Sequence, residues 1–374
     1  MQSSSLQGDV PTPSALADYF QVYEVEADGE EIRYYGEPLA PRDAVVQRLA
    51  PVFRERGYRL QLERRLGEHV LVVEERSPGV DGVPWTNVGL FVATVVTTLL
   101  AGAGWYGIPV TEEPLRAVEA WPFTVSVLGV LAVHELGHYA MSRYHDVEAS
   151  LPYFIPVPTL LGTLGAVIRM NDHIPSRRAL FDIGVAGPLA GLVATIVVTA
   201  IGVSLPPIET VGVVGGTATA TTATQVELGY PPLIQLVAWA VGQPLSYVEP
   251  GLTVNPVVVG GWVGAFVTFL NLLPVGQLDG AHVTRALVGD ALAAVQKLVP
   301  LALFGLASYL YLFEDGRAVG IWLLWGVLAL VFGRVSGVTP LDQSPVGRGR
   351  WLVGLMTLAL GVLSFTPVPV VVGA

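Results

Sequence analysis

The segment His134-Glu135-Leu136-Gly137-His138 sets two imidazoles four residues apart with a carboxylate between them. On a helix such positions share one face, so the two rings can hold a single metal ion while Glu135 stands beside it as an acid or base. The flanking residues are apolar over a length that can cross a bilayer. Ionisable groups at that depth are costly and are usually functional or paired. The alternative, two histidines satisfied inside a helix bundle, leaves the order of the three ionisable groups unexplained.

A catalytic zinc normally takes three protein ligands and leaves a position for water. The chain has no cysteine, so the third ligand must be another His, Asp or Glu. The continuation with Gly and His found in metzincins is absent, since Met141 and Tyr144 occupy those places. Asp146 and Glu148 follow His138 too closely for a second element to return. The leading candidate is Asp279, within Asn271-Leu272-Leu273-Pro274-Val275-Gly276-Gln277-Leu278-Asp279-Gly280, at the end of another long apolar stretch. Its alternative role is that of a solvated acid capping a helix that starts near Gly280. Asp172 and Asp182 are weaker candidates, and Asp182 has Arg177 and Arg178 nearby for ordinary pairing. His282 is near enough to act as a proton donor or supporting partner, the alternative being an interfacial histidine. Asn271 is an oxyanion donor or a helix-backbone partner. His69, His145 and His173 read as surface or loop residues.

These side chains need elements to carry them into a bilayer. Of 374 residues, 52% are hydrophobic and only 14% charged, which marks a multi-pass membrane protein rather than a soluble domain. The expected fold is a multi-pass α-helical membrane protein with about seven transmembrane helices, a re-entrant segment or hairpin, and a small N-terminal α+β cytoplasmic domain. The spans are expected at 86–108, 121–143, 179–203, 255–275, 295–313, 318–334 and 351–372. The segment 233–241 is too short to cross. Pro152, Pro156, Pro158, Gly162 and Gly165 rule out a regular helix over 151–168, which reads as a re-entrant segment or hairpin lining a cavity. Residues 211–225, rich in Gly, Thr and Ala, read as a flexible loop.

The expected domains are 1–84, a soluble α+β unit; 85–290, the transmembrane core; and 291–374, C-terminal transmembrane helices. In the first, strands are expected at 19–26, 58–62 and 69–73, with a helix over 45–53 weakened by Pro51 and ended by Gly57. The first twenty residues hold no apolar core, so no cleaved secretory peptide is expected. Arginine placement sets the orientation: with the N-terminus cytoplasmic, Arg143, Arg169, Arg177, Arg178, Arg285, Lys297, Arg334, Arg348 and Arg350 all fall inside. The net charge of −11, with Lys297 the only lysine among twenty basic residues, argues against nucleic acid and is consistent with a high-salt habitat.

With these residues in view, the chain resembles the site-2 protease family (M50) of intramembrane zinc metalloproteases. His134 to His138 and Asn271 to Gly280 correspond to its two signatures, in order. Pro156, the run Gly162-Thr163-Leu164-Gly165-Ala166 and the run Asp182-Ile183-Gly184-Val185-Ala186-Gly187-Pro188-Leu189-Ala190-Gly191 are similar to the plant chloroplast branch and its archaeal relatives. The likeness covers about 85–290 and extends loosely to the N-terminal domain. One departure is Ala281, where relatives commonly have a second glycine. The resemblance implies that His134, His138 and Asp279 bind Zn2+, that Glu135 is the catalytic acid/base, and that the substrates are transmembrane proteins cleaved within the lipid bilayer of the cell membrane. A noncatalytic membrane scaffold and a metal transporter are the alternatives. The transporter would require carboxylates along a pathway and repeated halves, which the sequence lacks.

Overall fold

The computed structural model describes residues 10–28, 31–65, 67–76, 82–170, 173–209, 226–249, 251–334 and 338–372. Asp172 and the expected loop at 211–225 lie outside them.

After a single turn, α1 (Pro13–Leu16), the N-terminal part forms β1 (Phe20–Asp28), β2 (Glu31–Pro38), α2 (Arg42–Arg54), β3 (Tyr58–Arg65) and β4 (Glu68–Glu75). The strands make an antiparallel sheet in the order β1-β2-β4-β3. Leu71 of β4 stands opposite Tyr34 of β2 on one side and Leu62 of β3 on the other. Phe20, Ile32, Tyr34, Leu60, Leu62, Leu71 and Val73 pack against Val45, Leu49 and Phe53 of α2. β2 has no counterpart among the sequence expectations, although Ile32 and Tyr34 alternate as one buried face requires. Pro51 is accommodated inside α2, whose last residue, Arg54, comes three positions later. The buried Tyr34 hydroxyl donates to the Pro11 carbonyl at 2.8 Å, and burial pushes its phenol up to about 12.

The apolar part contains α3 (Trp85–Tyr106), a 3₁₀ turn at Pro114–Ala120 leading into α4 (Trp121–Tyr144), strands β5 (Tyr153–Pro156) and β6 (Thr163–Val167), and α5 (Arg177–Ser204). The two-residue strand β7 (Ile208–Glu209) pairs with β9 (Leu252–Thr253); β8 (Val226–Leu228) and α6 (Pro232–Val241) lie between them. There follow α7 (Val257–Asn271), α8 (Asp279–Val288), α9 (Leu292–Phe313), α10 (Val319–Phe332), α11 (Arg348–Leu363) and β10 (Val370–Val372). Among the described residues, four helical segments are long and apolar enough to cross a membrane: α3, α4 with its preceding turn, α5, and α8 running into α9.

The expected spans at 255–275, 318–334 and 351–372 are shorter than their apolar runs. At 15, 14 and 16 residues, α7, α10 and α11 reach about 21 to 24 Å at about 1.5 Å per residue, against a hydrocarbon core of about 30 Å. The last of the three is corrected in kind as well as length. Pro367 and Pro369 cannot continue a helix, and residues 370–372 instead pair antiparallel with β8. The segment 233–241 is α6, ten residues long, packed through Ala238 onto Val203 and Val258.

Between α4 and α5 the chain makes the antiparallel hairpin β5–β6, in agreement with the reading of 151–168. Its carbonyls at membrane depth need donors, and α3 supplies them. Asn87 Nδ2 donates to Leu151 and Pro152, Thr97 Oγ1 to Gly162, and Trp105 Nε1 to Leu160, all at 2.6–3.1 Å. On the other side of α4, α5 packs along α4, α7, α8 and α11.

Candidate metal centre

Both histidines lie on α4, where they are 3% and 6% exposed. Their Nε2 atoms are 3.2 Å apart, and each is 3.2 Å from Asp279 Oδ2. Three lone pairs thus converge on one point. Bonds of about 2.0–2.2 Å in a tetrahedral set place ligand atoms about 3.3 Å apart, so the triangle fits one face of a zinc tetrahedron. Among the described residues this is the one group of three or more His, Asp or Glu placed to hold a metal ion.

The His138 Nδ1 lies 2.8 Å from the Ile183 carbonyl. That acceptor calls for the Nδ1–H tautomer, which leaves the Nε2 lone pair directed into the triangle. Asp279 is the first residue of α8, one past the N-cap position held by Leu278. It turns to the histidines instead, so the capping alternative does not apply.

The site is made narrow by α5. A Cβ at Gly187 would lie 2.0 Å from His138 Nε2, and one at Gly191 would lie 2.8 Å from His134 Nδ1. Any side chain there would occupy the space of a ring. At Gly187 and Gly191, therefore, α5 offers bare backbone to the two imidazoles.

Glu135 is buried on α4 between the two histidines, one residue from His134 and three from His138. Asn271, at the end of α7, brings Nδ2 to 3.4 Å from His134 Nε2, within reach of the same space. Ala281, 2% exposed, is accommodated in the core next to Asp279.

Other candidates are placed elsewhere. Asp182 pairs neither with Arg177 nor with the metal triangle. Its carboxylate accepts from Arg350 at 2.8 and 2.7 Å and meets His145 Nε2 at 2.9 Å. Arg177 donates to the carbonyls of Ala286 and Leu287 instead. His145 is therefore no plain loop histidine; it ties the end of α4 to α5. His282 is buried rather than interfacial, with its Cβ against Gly184. Asp146 and Glu148 face arginines of the N-terminal sheet. Sequence reasoning misses the Ile183 backbone partner of His138, because main-chain groups carry no residue-type signal.

The model of peptidase family M50 matches residues 122–310, half of the chain, and the chain belongs to that family. Among curated proteins it is similar to the chloroplastic probable zinc metalloprotease EGY1 of Arabidopsis thaliana, with 30% identity over 258 residues, covering 67% of this chain and 43% of the relative. It is also similar to the probable zinc metalloprotease EGY2 of the same plant, at 27% identity, 80% of this chain and 52% of the relative. The probable zinc metallopeptidase EGY3 is 26% identical over 75% of this chain and 48% of its own length. The chain spans about two fifths to one half of these relatives. No solved structure matches it.

Proposed function

We propose that this chain is an intramembrane zinc metalloprotease that hydrolyses peptide bonds within or near transmembrane segments of membrane proteins. The observation that carries the reading is the buried triangle of His134 Nε2, His138 Nε2 and Asp279 Oδ2 with Glu135 alongside. His134, His138 and Asp279 would hold Zn2+, which when bound supplies Lewis-acid polarisation and acidifies water towards a pKa of about 7. Glu135 takes the proton from the attacking water and returns it to the leaving amine. The Asn271 amide is the candidate second donor to the developing oxyanion.

A peptide bond within a helix is shielded by its own turns, so a substrate must unwind before it can be cut. The β5–β6 hairpin, packed on α4, is suited to hold the unwound stretch by strand addition. The arrangement we favour has seven crossings, α3, α4, α5, α7, α9, α10 and α11, in a cell membrane. The soluble unit 1–84 and the basic loops then face the cytoplasm, ahead of a metalloprotease core at 85–290 and further helices at 291–374.

The test is purified protein carrying one zinc and a model transmembrane substrate. Cleavage should stop in Glu135→Gln with zinc retained. Cleavage persisting in that variant would reject the assigned base, and zinc without cleavage in the parent would favour a scaffold or a transporter.

A further inference from the structure

Two adjacent residues of α5 hold α4 at points about two turns apart. The Ile183 carbonyl lies 2.8 Å from His138 Nδ1, and the neighbouring Asp182 carboxylate meets His145 Nε2, at the end of α4, at 2.9 Å. Alongside these contacts the helices touch through bare backbone: a Cβ at Gly137 would lie 2.6 Å from the Ala186 carbonyl oxygen, as one at Gly187 would press on the His138 ring. Contacts between small residues set how closely two helices approach. Directional hydrogen bonds set where along one another they stop. The register that brings the Ile183 carbonyl to His138 is the register that Asp182 and His145 lock.

Asp182 is itself fixed from the far end of the chain. Arg350, in the first turn of α11, donates from Nε to Oδ1 at 2.8 Å and from Nη2 to Oδ2 at 2.7 Å, a two-pronged grip that leaves neither carboxylate oxygen free to swing. Phe181, the residue before, lies against α11 at Gly354, where a Cβ would stand 2.9 Å from its ring. The chain leading into α11 straps the start of α5 as well: the Leu341 and Asp342 N–H groups donate to the Ile174 and Pro175 carbonyls, both at 3.0 Å, and the Arg177 N–H donates to the Asp342 carbonyl at 2.9 Å. All of this lies beyond residue 310, where the match to the M50 family ends. We infer that Arg350 is a positioning residue for the metal ligand His138, acting through Asp182 and the Ile183 carbonyl, so that the C-terminal helix α11 is a working part of the metal centre.

For its effect on zinc this assignment rests on the metal-centre reading, and for its effect on α5 on the contacts alone. A main-chain carbonyl bonded to the far nitrogen of a ligating imidazole fixes the tautomer and the direction of the ring, and losing such a partner costs about 10- to 100-fold in metal affinity. Arg350 acts one step removed from that partner. Without its guanidinium the Asp182 carboxylate keeps only His145, the start of α5 loosens against α4, and the cost falls at the lower end of that range. A contact that merely held α11 in place would lower stability and leave the zinc affinity of the folded protein where it was.

The experiment compares full-length Arg350→Ala, Arg350→Lys, Asp182→Asn, the double variant Arg350→Ala/Asp182→Asn and Arg348→Ala with the parent. Three measurements are made: zinc competition against a chromophoric chelator, the visible spectrum of the cobalt(II)-loaded protein, and amide hydrogen exchange of the metal-free protein. Arg350→Ala and Asp182→Asn should each weaken zinc by about tenfold and shift the cobalt bands. Both should speed exchange over 179–187 by about tenfold, with exchange in β1 and β2 unchanged. The double variant should lose no more than the worse single one, because the two residues act as one unit. Arg350→Lys keeps the charge without the fork; it should lose about threefold, and it serves in place of an alanine variant that does not fold. Arg348, exposed in the same turn of α11, controls for loss of charge, and Arg348→Ala should match the parent. Parent-like zinc affinity in the folded Arg350 variants, losses that multiply in the double variant, or an equal loss in Arg348→Ala would overturn the assignment. A parent that binds no stoichiometric zinc would sink the metal-centre reading, while exchange over 179–187 in the metal-free protein would still decide whether Arg350 holds α5.

Discussion

Gly187→Ala should silence the metal site without touching a ligand. The added Cβ would stand 2.0 Å from His138 Nε2, 2.3 Å from Cδ2 and 2.6 Å from Cε1, whereas carbon atoms settle at about 3.5–4.0 Å. The ring and α5 must therefore part by about 1.5 Å. A metal–ligand bond tolerates about 0.2 Å. The triangle, whose edges are 3.2 Å, would lose one corner. Loss of a supporting partner alone costs about 10- to 100-fold in metal affinity, so displacement of the ring itself should exceed about 100-fold. Zinc competition against a chromophoric chelator, on protein shown to be folded, reads this directly. Gly129→Ala is the control: it lies on the same helix as the histidines, with open space around its Cβ. It should bind zinc as the parent does and gain up to about 1 kcal/mol of helix stability. Parent-like zinc affinity in folded Gly187→Ala would refute the claim that this approach shapes the site.

Asp279→Asn should remove stoichiometric zinc and cleavage together, measured by elemental analysis and substrate gel. In the parent, chelation should lower the thermal midpoint and zinc should restore it, because the ion binds only the folded site; an unmoved midpoint would count against a resident metal. The Tyr34 phenol is held protonated up to about 12 in the fold against 10.0 when unfolded. Its contribution is thus complete below pH 10 and is lost as pH rises toward 12, so Tyr34→Phe should flatten the alkaline decline in the domain's denaturant midpoint. The acidic, lysine-poor composition predicts better solubility and higher stability in molar salt; best behaviour at low salt would discard the halophilic reading.

The candidate metal centre was legible in the sequence because the chemistry proposed for it is concentrated in residue types. His134, Glu135 and His138 declare themselves by spacing, and Asp279 follows from the scarcity of carboxylates at matching depth. The proline- and glycine-rich run at 151–168 likewise announced a re-entrant segment or hairpin, because no regular helix tolerates it, and the hairpin is what forms. What was hidden lies in the main chain and in absences. The carbonyl of Ile183 is generic to every residue, so only coordinates show that it meets His138. Helix ends at 271, 332 and 363 also escaped, since hydropathy marks an apolar run and leaves unmarked the point where a helix gives way to a turn or, at β10, to a strand. β2 was readable from Ile32 and Tyr34 alternating, but charged neighbours obscured it.

The donors from α3 to the hairpin carry a consequence for biogenesis. Asn87, Thr97 and Trp105 precede the carbonyls they satisfy by 55 to 65 residues. With α3 crossing as proposed above, the helix precedes the hairpin out of the ribosome, and the hairpin's main chain would meet partners on arrival. The M50 match begins at residue 122 and leaves α3 outside it. A polypeptide trimmed to that match would strand peptide carbonyls in hydrocarbon, each a burden of several kcal/mol, and the minimal folding unit must extend upstream to at least Trp85.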